Sequence, residues 1–145
     1  MLKFESTTTP EHIRDIADQI LAVAVEQGAD QLRQSRLLLV LDELLTNIRS
    51  YAYPAEPGPV RVEILAPDNE GDAVLHLRIS DWGPPFDPLR GTGPPVLDAD
   101  LELRPIGGLG VHLVRNMGCD LAYSREFEAP PSEGRNQLTV AFPLR

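Results

Sequence analysis

From Gln31 to Ala52 the chain carries neither proline nor glycine, and strong helix formers fill most of the stretch. The spacing predicts one long helix, and no other segment constrains the fold as much. Leu37, Leu38, Val40, Leu41, Leu44, Leu45 and Ile48 make it apolar around much of its circumference. Into this setting the sequence places Glu43 and Asn47, four residues apart and so on one face about one turn from each other. A carboxylate and a carboxamide are costly to bury unless something pairs with them. Taken alone, the pair also fits a helix-face hydrogen bond or a solvated stripe.

At 145 residues the chain is expected to form one domain, residues 1–145, large enough for a real core. Hydrophobic content of 42% against 24% charged residues excludes wholesale disorder. A formal net charge of −9 argues against a general nucleic-acid surface, which needs clustered Lys and Arg. Cys119 is the only cysteine, so there is no intramolecular disulfide and no cysteine-based zinc site. The N-terminus has no signal-like apolar run and no 18-residue apolar stretch occurs. A soluble protein of the reducing cytoplasm, with no membrane partner, is the expectation.

The remaining elements follow from periodicity. Leu2 to Ser6 alternates like a short strand. Thr9 and Pro10 suit the N-cap and first position of a helix running to about Gln27, with Ile13, Ile16, Ala17, Ile20, Leu21 and Ala24 as its buried stripe and Gly28 closing it. The prolines at 54, 57 and 59 forbid continuation of the second helix. Val60–Leu65 and Ala73–Ser80 read as strands joined by a hairpin-like turn, with Leu75, Leu77 and Ile79 on one face. Six of the 14 prolines then fall between Pro84 and Pro105, where apolar periodicity vanishes; a loop of that length is commonly a functional cover or a linker. A glycine cluster at Gly107–Gly110 opens a helix that Gly118 closes, and strands at Cys119–Phe127 and Asn136–Leu144 finish the chain. The order predicts an α/β sandwich, with helices on one face of a mostly antiparallel, mixed sheet.

Two further motifs carry chemistry. A helix N-terminus has unpaired N–H groups and a partial positive charge, so Gly107, Gly108, Leu109 and Gly110 can cradle phosphates, or simply form a tight turn into the helix. The stretch fits neither a P-loop nor a dinucleotide fingerprint. Asp81 and Gly83 stand at a strand end, where a carboxylate can accept a hydrogen from a purine amino group; Asp-x-Gly is also ordinary turn chemistry.

In order, Glu43-x-x-x-Asn47, Asp81-x-Gly83-x-x-Phe86, a long loop and Gly108-x-Gly110 resemble the N, G1 and G2 boxes of the GHKL ATPase superfamily. More narrowly, Asp-Trp-Gly-Pro-Pro-Phe-Asp-Pro-Leu and Ile-Gly-Gly-Leu-Gly-Val-His-Leu-Val-Arg-Asn-Met resemble the small serine/threonine kinases that act as anti-sigma factors, of the RsbW and SpoIIAB kind. The closing Gly134-Arg-Asn-Gln-Leu-Thr is similar to that family's last strand. The resemblance implies the histidine-kinase-like (Bergerat) ATPase fold, with ATP and Mg²⁺ as cofactors. Asn47 then matches the magnesium ligand, a hard oxygen donor, and Glu43 the general base. Asp81 matches the adenine reader, with Gly83 and Phe86 beside it. Gly107 to Val111 match the phosphate turn, residues 84–107 the ATP lid, and Arg104 a phosphate contact within it. The implied partners are a STAS-domain anti-anti-sigma protein, a sigma factor, and a second copy of the chain pairing through Leu2–Ser6.

Several positions depart from that family. Tyr51 stands where it often has histidine, Arg49 and Ser50 are not its usual choices, and the lid is poor in basic residues. These departures favour a second reading, a nucleotide-binding or nucleotide-free module that sequesters a partner without phosphorylating it. His12-Ile-Arg-Asp resembles the start of a histidine-kinase phosphoacceptor motif, but one preceding helix leaves no room for the usual two-helix dimerisation module, so His12 is read as a surface residue. His76 is read as strand packing and His112 as either core or phosphate neighbour. Cys119 is read as a buried small hydrophobe. Trp82 either flanks the adenine pocket or packs the sheet edge.

Overall fold

In a computed structural model, residues 2–66, 73–89, 114–127 and 134–145 are described. Strand β1 (Leu2–Thr7) leads into helix α1 (Pro10–Glu26) and helix α2 (Gln31–Tyr51). Strands β2 (Pro59–Ile64), β3 (Val74–Asp81), β4 (Asp120–Glu126) and β5 (Arg135–Pro143) complete the elements. Residues 114–116 are helical and precede Gly118, whose φ of 83° ends that turn. The expected hairpin turn at 67–72 and the helix entry at Gly107–Gly110 lie outside the described residues.

Both long helices begin as their sequences dictate. Thr9 accepts a hydrogen bond from the His12 N–H at 3.2 Å with Pro10 in the first turn, and Asp30 accepts from the Arg33 N–H at 2.8 Å. Gly28, at φ 95°, makes the reversal between them. Ile13, Ile16, Ala17, Ile20 and Ala24 of α1 are buried, as are Leu37, Val40, Leu41, Leu44 and Leu45 of α2. Leu38 and Leu39 turn outward, because a single stripe of α2 is enough to meet the sheet.

The strand order is β1-β2-β3-β5-β4, and every pairing among the described residues is antiparallel. The last strand therefore lies inside the sheet and β4 forms an edge. The register stacks the core-facing side chains into rows across the strands. Ile64, Leu77, Val140 and Leu121 form one row, and Val62, Ile79, Leu138 and Tyr123 the next. The row after that is Val60, Asp81, Asn136 and Arg125. The helix-covered face thus turns from apolar to polar at one end of the sheet. On the opposite face Arg61 pairs with Glu5 at 2.9 Å, and Arg78 meets Glu63 through two hydrogen bonds of 3.1 and 3.0 Å.

Tyr53 ties the C-terminal end of α2 to the end of β3. Its hydroxyl donates to the Pro59 carbonyl at 2.6 Å and accepts from the Trp82 N–H at 2.9 Å. Tyr53→Phe should cost about 1–2 kcal/mol, since both backbone partners lose their mate. Urea unfolding checks this, and an unchanged midpoint would remove Tyr53 as a tie.

Candidate functional site

The polar row faces the second half of α2 across a pocket. Leu44, Asn47, Ile48, Tyr51 and Ala52 line it from the helix, Ile79 and Asp81 from β3, and Tyr123, Asn136 and Leu138 from β4 and β5. Phe86 and Pro88, on the segment after β3, form a further wall. The pocket is narrow and its walls are mostly apolar.

Among the described residues Asp81 is the one carboxylate that lines the pocket. It is 6% exposed, and burial raises its pKa above the usual carboxylate range. Hydrogen bonds from the Asn136 amide (2.9 Å) and the Gly83 N–H (3.0 Å) oppose that rise, as does the nearby Arg125 charge. Gly83 packs on the end of α2: a Cβ placed there would lie 2.4 Å from Ala52 Cβ and 2.6 Å from Ala52 Cα. Its missing side chain is therefore demanded by the helix, whatever else approaches its backbone.

The helix side supplies Glu43, Asn47 and Tyr51 at successive turns. Burial, with the Asp42 charge adding to it, pushes the Glu43 carboxyl above its ordinary range, and the neighbouring Asn47 amide moderates the rise. Yet Asn47 Nδ2 is buried and completes no hydrogen bond, and the same holds for the Tyr51 hydroxyl. Tyr51 lies face to face with Phe86, ring centroids 4.3 Å apart and planes within 8°. That spacing leaves no room for a base between the rings; an entering base must lie outside the pair or part it.

A divalent metal can be weighed against this donor set. Among the described residues no three His, Cys, Asp or Glu side chains cluster to hold one. Magnesium, however, is commonly bound by one or two protein oxygens together with ligand phosphates and water. Asn47, which lines the pocket one turn from Glu43, would offer such a site its side-chain oxygen; the unpartnered buried end is its Nδ2, a donor that a metal ion does not take.

The structure brings Asn47, Asp81, Gly83 and Phe86 around one pocket region, with Glu43 one turn along α2 from Asn47. Arg104, Gly107, Gly108, Leu109, Gly110, Val111 and the 90–107 part of the lid lie outside the described residues, as does His112. His12 is exposed and its ring meets Thr7 Oγ1 at 2.6 Å. Cys119 is buried, which together with Asp120 raises its thiol pKa to about 11 and leaves it inert at neutral pH. Trp82 lies under the Arg61 guanidinium, 5.1 Å from the ring centroid, on the sheet's other side from the pocket. Sequence reasoning passed over Tyr123, Arg125 and Asn136. The signal was present: Asn136 falls in phase with Leu138, Val140 and Phe142, where alternation demands a core residue.

The site thus sets a buried carboxylate at the polar end of the sheet opposite a helix carrying a carboxylate and an amide. A family model described as a histidine kinase-like ATPase domain matches residues 6–142, and the chain belongs to that family. ATP binding is the function the family carries. No curated protein matches the chain. Among the described residues no helix is long and apolar enough to cross a membrane.

Proposed function

We propose that the protein is an ATP-dependent serine/threonine protein kinase acting as an anti-sigma regulatory factor, with a STAS-domain anti-anti-sigma protein as its substrate. The observation that carries this reading is the placement of Glu43 one turn from Asn47 on the helix that walls the pocket, opposite the buried carboxylate of Asp81. Asp81 accepts the adenine amino hydrogen, and Asn47 offers its side-chain oxygen to Mg²⁺. Bound magnesium supplies charge neutralisation for the phosphates. Glu43 takes the proton from the attacking serine hydroxyl. Arg104 and residues 107–111 meet the phosphates. A sigma factor is the alternative partner, and the exposed edge strand β1 suits pairing between two copies.

A specific observation favours a second reading, sequestration of the partner without turnover. The Tyr51–Phe86 stack narrows the pocket on its helix side, and Tyr51 has no basic group to offer a phosphate. Transfer of labelled phosphate from ATP to STAS proteins encoded beside this gene decides between the two. If ATP binds and no partner acquires label, sequestration stands.

Asp81→Asn tests the adenine end independently. ATP affinity should fall about 10–100-fold while GTP changes little, the loss of one charge-assisted hydrogen bond. The variant keeps an oxygen for Asn136 and Gly83 but sheds a buried charge. The folded-state pKa of Asp81 is raised, so the wild type loses stability as pH climbs above the ordinary carboxylate range. At pH 7 the variant should therefore melt no lower than the wild type, and below about pH 4 the difference should vanish. Equal loss for ATP and GTP would take Asp81 out of base recognition.

A further inference from the structure

We infer that Asn136 is a positioning residue for base selectivity: it fixes which oxygen of Asp81 is left to meet a ligand, and that oxygen suits a purine 6-amino group. The register sets Asn136 directly opposite Asp81, and the two are 5% and 6% exposed. Asn136 Nδ2 gives one hydrogen to Asp81 Oδ1 and the other to the Pro84 carbonyl, each at 2.9 Å. Its Oδ1 accepts from the Tyr123 hydroxyl at 2.6 Å, and from the Phe86 N–H and Arg125 Nη1 at 3.2 Å each. Donors and acceptors surround this amide in one sense only. A flipped amide would face oxygens with oxygen and donors with nitrogen, so its orientation is locked.

The consequence falls on Asp81. Its Oδ1 already receives two hydrogens, from Asn136 and from the Gly83 N–H, while Oδ2 receives none among the described residues. The carboxylate is thus held with one oxygen occupied and the other lacking a donor. An amino group on the base supplies that donor; a carbonyl at the same position sets oxygen against oxygen and is rejected. Tyr123 and Arg125, from the edge strand, act one step further out by seating the amide. Because Asn136 also grips Pro84 and Phe86, it keeps the segment after β3 in register with the carboxylate. The inference rests on the reading of Asp81 as the adenine contact.

The test uses ATP and inosine triphosphate, which bears an oxygen in place of the 6-amino group, with affinities from calorimetry at pH 7.5. Wild type should prefer ATP by about tenfold or more. Asn136→Asp keeps the acceptor side of the residue but sets a second carboxylate against Asp81. It should bring the preference to within about threefold, chiefly by weakening ATP. Tyr123→Phe, which leaves the strand pairing intact, should produce a smaller loss of preference in the same direction and serves if Asn136→Asp does not fold. Equal weakening of both nucleotides in the two variants, with the ratio kept, would overturn the inference and leave Asn136 a structural residue. An Asp81→Asn variant that retains the wild-type ratio would instead overturn the reading beneath it, and the inference with it.

Discussion

Glu43→Gln should lower phosphoryl transfer to the partner by about 10²–10⁴-fold while ATP binding stays within a few-fold of wild type. The glutamine preserves the shape and a hydrogen-bonding end beside Asn47 but cannot take a proton. Its expected effect therefore falls on kcat and spares affinity. The pH profile provides a second check. Burial raises the Glu43 pKa, so in wild type the carboxylate form is completed only at pH values above the ordinary carboxylate range, and the rate should climb through that window. The variant should lose this acidic limb. A Glu43→Gln protein that transfers phosphate at the wild-type rate would remove Glu43 as the base. A large loss of ATP affinity would show that its role lies in binding.

The elements of the sandwich could be read from the sequence because each buries one face. Leu75, Leu77 and Ile79 alternate with His76, Arg78 and Ser80, and the Thr9-Pro10 entry holds the capping chemistry that starts a helix. The order of the strands was not legible. Alternation says which face of β5 is apolar but nothing about its lying between β3 and β4, which depends on contacts between distant segments. The same limit hid half of the site. Asp81 stands out because an Asp-x-Gly pair has recognisable local chemistry, whereas Asn136, Tyr123 and Arg125 acquire a role only when the register lines them up beside it. Glu43 and Asn47 were visible because four residues on a helix are neighbours without any tertiary information.

Gly83 illustrates how a residue singled out for one reason is held by another. Its place two residues after Asp81 made it part of the Asp-x-Gly candidate. The geometry adds a demand that holds with no ligand present: the Cβ of any other residue would lie 2.4 Å from Ala52 Cβ, 2.6 Å from its Cα and 3.0 Å from its carbonyl oxygen. Two of those three contacts are backbone, so no rotamer change relieves them. Either the end of α2 or the Asp81–Gly83 turn must move. Gly83→Ala should therefore destabilise the fold by about 3 kcal/mol, the upper part of the usual range for overpacking, lowering Tm by about 10 °C. The same displacement breaks the Gly83 N–H bond to Asp81 and the Arg125 bond to the Gly83 carbonyl, so nucleotide affinity should fall in the fraction that stays folded. Ala52→Gly removes the nearest of the clashing atoms but leaves the Cα and the carbonyl. Added to Gly83→Ala, it should recover part of the lost stability, a coupling that a double-mutant cycle measures directly. Strictly additive losses would mean that the two residues do not meet in solution as they do here. Full recovery would mean that the backbone contacts give way more readily than their distances imply.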